Sequence, residues 1–144
     1  MLLSLIVGSC VIAVCVFIQI FGVIELSVRV KALARFGANI TIHYKKIWLM
    51  VATVLGIFGI HAFQIWVWAF TYWLIGALPD FQMSLYFSTV TFSTLGYGDV
   101  ILEEKWRILG ALEGIAGFIH IGWSTAYLIT ASTRYGPFTE GDHF

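Results

Sequence analysis

The sequence predicts an all-α membrane protein: three transmembrane helices plus a short helix that enters the bilayer and turns back. Three observations point there. Of the 144 residues, 60 % are hydrophobic and only 11 % charged, with a mean hydropathy of +0.91. A soluble domain needs charged residues near a quarter of its total to cover its core. Three apolar stretches are each long enough to cross a hydrocarbon core of about 30 Å. Between the second and third lies an apolar segment of another kind, rich in hydroxyl groups and ending in two closely spaced glycines. The composition excludes an ordinary cytosolic enzyme, a disordered chain and a disulfide scaffold. Eight basic and eight acidic residues, for zero net charge, leave no basic face for a nucleic acid.

The first stretch, Leu2 to Ile24, has 23 residues without a charge. As a helix it measures roughly 35 Å, and residues 1–26 are assigned to an N-terminal transmembrane helix. No Lys or Arg precedes it and the run exceeds a normal signal-peptide core, so it reads as a retained helix. Without basic residues it is no voltage sensor. Cys10 and Cys15, five apart, fall on different helix faces and read as packing residues without a disulfide or metal role.

Residues 27–46 form a basic linker. Arg29, Lys31, Arg35, Lys45 and Lys46 are five of the eight basic residues, which places the linker in the cytoplasm. The N-terminus is then outside, the segment 80–104 outside and the C-terminus inside. Lys105 and Arg107 oppose the rule, but Asp80, Asp99, Glu103 and Glu104 surround them. Within the linker, Val28 to Phe36 fits a helical extension, a surface-lying helix ending at Gly37, or a solvated loop. Asn39-Ile40-Thr41 matches the glycosylation pattern, which a cytoplasmic position makes fortuitous.

The second stretch predicts an outer helix over 47–78, with His61 its only ionisable residue. Trp66, Trp68, Trp73 and Trp106 gather at the outer helix ends as an interfacial belt, and Trp48 marks the inner boundary. After Pro79, Asp80 is a natural N-cap for a short helix over 80–93. The twelve residues Phe81–Phe92 span roughly 18 Å, too little to cross. Gly96 and Gly98 then break the helix. Non-helical backbone at membrane depth is tolerable only where protein buries it or water lines it. Residues 94–99 are therefore an extended segment facing a water-filled path.

Thr94-Leu95-Gly96-Tyr97-Gly98-Asp99 resembles the selectivity-filter signature of potassium channels. With its flanking helices, the pore region 47–132 is similar to the small two-helix ion-channel family of bacteria, with an added N-terminal helix. The resemblance implies passive potassium conduction through an integral protein of the bacterial inner membrane. It implies no enzyme activity and no cofactor beyond K+ ions, held at Thr94, Leu95, Gly96 and Tyr97. The physics agrees. A dehydrated ion needs a cage of carbonyl oxygens, successive carbonyls converge only if the backbone alternates in hand, and glycine adopts the left-handed region freely. Gly96 and Gly98 supply that alternation, Leu95 and Tyr97 point outward as braces, and the Thr94 hydroxyl and carbonyl form the innermost ring. One filter per chain requires four chains, so the working unit is a homotetramer around a fourfold axis, with K+ and membrane lipid as its other partners.

In the family an aromatic donor, usually tryptophan, precedes the threonine by eight residues and bonds the aspartate after the filter. Tyr86 occupies that place and either bonds Asp99 or simply packs. Val90 stands where some members carry glutamate, Leu95 replaces the commoner valine, and the usual proline is missing from Val100-Ile101-Leu102. None of these departures touches the ion-facing oxygens.

The third stretch predicts an inner helix over 106–132, followed by a tail, 133–144. Gly110 and Gly114 form a small-x-x-x-small face. Gly117 matches the family's hinge glycine, with a packing glycine as the alternative. In the same register Phe118, Ile121 and Thr125 line the cavity below the filter. Glu113, a carboxylate at membrane depth, is a functional candidate by default. It reads as an anchor to hydroxyls of the short helix in preference to a charge lining the path. His61 and His120 read as packing histidines in preference to pH sensors. The alternatives to a selective channel are a poorly selective cation channel, which usually shows a degraded filter, a regulatory subunit of a heteromeric channel, and a transporter subunit, which typically needs four linked repeats. The 13 residues after Ala131 are too few for a ligand-binding domain, leaving a leak, or gating by lipid, protons or a partner.

Overall fold

The computed structural model describes residues 2–35 and 42–136. Its elements are α1 (Leu2–Arg35), α2 (Ile42–Leu74), α3 (Phe81–Phe92), a 3-10 turn (Glu104–Trp106) and α4 (Arg107–Tyr135). No strand occurs among the described residues.

Two boundaries at the basic linker differ from the sequence reading. α1 continues past residue 26 to Arg35, so the linker 27–46 is mostly helix, and α2 begins at Ile42, ahead of 47. Val28 to Arg35 holds no Gly or Pro and is rich in Ala, Leu, Lys and Arg, all good helix formers. Glu25 also precedes Arg29 by one turn and bonds it at 2.8 Å, the favourable order for such a pair. Of the three options for this segment, the helical extension is the one adopted. Phe36, Gly37 and Asn39-Ile40-Thr41 lie outside the described residues.

At its other end α2 stops at Leu74 and not at 78. Gly76 sits at φ +64°, where a side chain would be strained, and closes the helix. Its N–H donates to Trp73 O at 3.1 Å and that of Ala77 donates to Tyr72 O at 2.9 Å, the paired bonds of a Schellman cap. α4 runs to Tyr135, past residue 132, and Gly136 N–H closes it on Ser132 O at 2.9 Å. The rest of the tail, 137–144, lies outside the described residues.

α1 packs against both α2 and α4, and α3 sits in the wedge between α2 and α4. Val11, Cys15, Trp68, Tyr72, Phe92, Leu109 and Ala116 belong to the shared core. The surface is apolar, and the largely apolar core also holds buried polar groups. Gln19, Gln64 and Glu113 are 0 % exposed while Phe17, Phe58 and Phe118 are 62–71 % exposed. A surface this apolar, around a core that also buries amides and a carboxyl group, is that of a membrane protein. α1 and α2 are long and apolar enough to cross a membrane. α4, at 29 residues, is also long enough to cross, but Glu113, His120 and its glycines dilute its apolar character.

The aromatic belt needs correction. Trp48, Trp66 and Trp73 are exposed, but Trp68 is 0 % and Trp106 7 % exposed. These two fill the core because α1 covers the face of α2 that carries Trp68 and the turn before α4 that carries Trp106.

Candidate ion pathway

α3 starts where its cap requires. Asp80 is extended, and its carboxylate accepts the Met83 N–H at 2.7 Å. The hydroxyls of Ser84, Thr89 and Ser93 donate back to Asp80 O, Leu85 O and Thr89 O at 2.6–2.9 Å. A hydroxyl-rich helix is thereby satisfied where water is scarce. Beyond Ser93 the helix ends, and φ is positive at alternate residues: Thr94 (61°), Gly96 (56°) and Gly98 (76°). The glycines adopt this freely. Thr94, β-branched, does not, and such a conformation costs about 1–3 kcal/mol. It is held by three successive amides. Thr94 N–H donates to Thr91 O at 3.0 Å, and those of Leu95 and Gly96 donate to Val90 O at 3.0 and 3.2 Å. The Val90 carbonyl thus serves at a position whose side chain is apolar. Residues 94–99 are exposed, and the side chains of Leu95 and Tyr97 are bare within one chain, by 59 % and 68 %.

Tyr86 Oη donates to Asp99 Oδ2 at 2.5 Å, tying α3 to the residue after the glycines. Behind the segment lies a cavity of about 130 Å³ whose lining includes Tyr86, Val90, Gly96, Gly98 and Asp99.

Glu113 is fully buried and faces α2 and α3, away from the exposed side of α4. Its Oε1 lies 2.5 Å from Ser88 Oγ, and its Oε2 accepts the Tyr72 hydroxyl at 2.7 Å. Ser88 Oγ is also 3.0 Å from Ile65 O. One carboxyl group therefore joins α4 to both α2 and α3. The sequence points to a hydroxyl on the short helix; Tyr72, set among tryptophans, does not stand out in it. Its one signal is a polar aromatic ring two turns above Ile65, at the depth of Glu113.

Gly117 is buried under the end of α3: a Cβ built there would stand 2.1 Å from Phe92 O. Ile121 and Thr125 join Phe92 and Ser93 around a cavity of about 480 Å³ beneath the end of α3. Phe118 does not line that cavity and is 71 % exposed. The rings of His61 and His120 flank Phe92, at centroid distances of 5.8 and 6.2 Å. His120 Nδ1–H donates to Ala116 O at 2.7 Å.

Among the described residues no cluster of His, Cys, Asp or Glu could hold a metal ion. No curated protein and no solved structure matches the chain. A family model described as "Ion channel" matches residues 60–134, slightly more than half of the chain, from within α2 through α3 and the glycine segment to the end of α4. With that match, the chain belongs to the two-transmembrane ion channel family, and α1 is an additional helix in front of the matched region.

Proposed function

We propose that this ion channel is selective for potassium, conducts passively and works as a homotetramer. The observation that supports this best is the coincidence of Thr94-Leu95-Gly96-Tyr97-Gly98-Asp99 with positive φ at residues 94, 96 and 98. A backbone that alternates in hand can turn successive carbonyls to one side, and the N–H groups of Thr94, Leu95 and Gly96 are already engaged by α3. The free oxygens of Thr94 to Tyr97 then replace the hydration shell of a potassium ion. In this reading α3 is the re-entrant pore helix. Its C-terminal end carries partial negative charge, and each of four such ends favours a cation by about 0.3–1 kcal/mol. Leu95, Tyr97 and Phe118, bare in one chain, are covered by neighbouring subunits or line the axis. The basic residues from Arg29 to Lys46 hold that side in the cytoplasm, with the filter mouth outside.

Purified protein reconstituted in lipid tests this. Mass measurement in detergent is expected to give four copies. Reversal potentials in mixed gradients are expected to follow potassium and ignore sodium. A reversal that ignores the potassium gradient refutes selectivity, and a stable monomer refutes the assembly.

A second expectation concerns Tyr86. Tyr86→Phe removes the bond that holds Asp99, so currents should run down faster in low potassium with an unchanged reversal potential. Tyr86→Trp, whose ring N–H can donate to the same carboxylate, should restore persistence. Equal run-down in both variants and the parent would leave Tyr86 a packing residue only.

A further inference from the structure

At the middle of the bundle, α1 is joined to the pore region by a chain of buried amides. Gln19 and Gln64 are 0 % and Ser124 is 3 % exposed. Gln64 Nε2 donates to Cys15 O and to Gln19 Oε1, both at 3.1 Å, and Gln19 Nε2 donates to Ser124 Oγ at 2.9 Å. A backbone carbonyl only accepts, so the Cys15 contact fixes which end of the Gln64 amide faces α1. Gln64 Oε1 then accepts from His61 Nδ1–H at 3.0 Å, and the His61 ring packs on Phe92, two residues before Thr94. One turn farther along α4 and about two along α1, Ser27 Oγ donates to Tyr127 Oη at 3.0 Å. At the opposite end Ser4 Oγ donates to Lys105 O at 2.7 Å.

The placement along α4 matters. Ser124 and Tyr127 lie two and three turns beyond Gly117, on the half of the helix farther from the filter. Two amide side chains buried in hydrocarbon are not needed to pack a helix; leucine would do that without a desolvation cost. What they add is direction and register, because each bond forms only when α1 and α4 stand at one height and rotation.

We infer that α1 is a gating element. The Gln64–Gln19–Ser124 clasp holds the inner half of α4 in one of its conformations and so sets the open probability. The inference rests on the proposed channel function and adds a role for the helix outside the matched region. An interhelical hydrogen bond in a membrane shifts an equilibrium by about threefold on average and up to roughly twentyfold. Four subunits that move together multiply that effect.

The test is single-channel recording of the full chain in lipid bilayers, comparing the parent with Gln19→Leu, Ser124→Ala and the double variant. Each single variant is expected to change open probability at least threefold, with reversal potential and unitary conductance unchanged. The double variant is expected to do no more than Gln19→Leu alone, since the one bond that Ser124→Ala removes is already lost there, together with the bond from Gln64. Ser124→Ala deletes a single oxygen and carries the test if Gln19→Leu fails to assemble. Open probability equal to the parent's, in variants that assemble and conduct, overturns the clasp and leaves the channel function standing. A parent that passes no current overturns the channel function and this inference with it.

Discussion

Gly117→Ala is expected to abolish the potassium selectivity proposed above and to lower the melting temperature of the purified protein. A Cβ at this position would stand 2.1 Å from Phe92 O, 2.8 Å from Phe92 C and 2.9 Å from Phe92 Cα. All three are backbone atoms, so no side chain can rotate away. Either α4 retreats or the end of α3 shifts by an ångström or more, and Thr94, already at φ 61°, is two residues away. Overpacking of this kind costs about 1–3 kcal/mol, and each subunit bears it. A pure hinge glycine predicts the opposite. Alanine is a better helix former by about 1 kcal/mol, so stability would rise and only gating would change. Gly122→Ala is the control, because a Cβ there meets nothing within 4 Å. That variant should melt no lower than the parent. A Gly117→Ala protein that melts as high as the parent and still excludes sodium would show that the contact with Phe92 is dispensable.

Much of this architecture could be read from residue types whose physics is local. Asp80 as a cap, twelve helical residues, and glycines at 96 and 98 each act within a few positions, and α3 lies between the bounds those signals set. The parts that were not legible depend on what lies opposite. Nothing in Trp68 or Trp106 tells that α1 covers them, so both looked like interfacial tryptophans. Thr94 has no intrinsic preference for positive φ; the Thr91 and Val90 carbonyls impose it. Gln19 and Gln64 carry no charge and escape notice when a membrane sequence is scanned for ionisable groups, although a buried amide needs partners as firmly as a buried carboxylate. The end of α2 was missed for a different reason. The apolar residues through Leu78 continue the hydropathy signal, but Gly76 stops the helix inside it.

Glu113→Ala is expected to be as damaging as Gly117→Ala, and Glu113→Gln nearly silent. In the alanine variant Tyr72 Oη loses its acceptor and the Ser88–Glu113 contact disappears, in a site that is completely buried. Each buried polar group left unpaired costs about 1–3 kcal/mol, and the removed carboxyl leaves a cavity as well. Because Ser88 sits on α3 one turn before Phe92, loosening it frees the helix that positions Thr94. Glutamine has the right complement of groups. Its Oε1 can accept from Tyr72 while its Nε2 donates to Ser88 Oγ, which leaves the single serine proton for Ile65 O at 3.0 Å. The geometry needs one acceptor and one shared proton at residue 113, and a net charge is not part of that requirement. A charge serving the ion path predicts the reverse: glutamine would already lower conductance, with assembly intact. Thermal melting of the assembly and unitary conductance, measured on both variants, separate the two. Loss of conductance in Glu113→Gln at unchanged melting temperature would refute the anchoring role. Melting that falls for alanine alone would establish Glu113 as the junction of α2, α3 and α4.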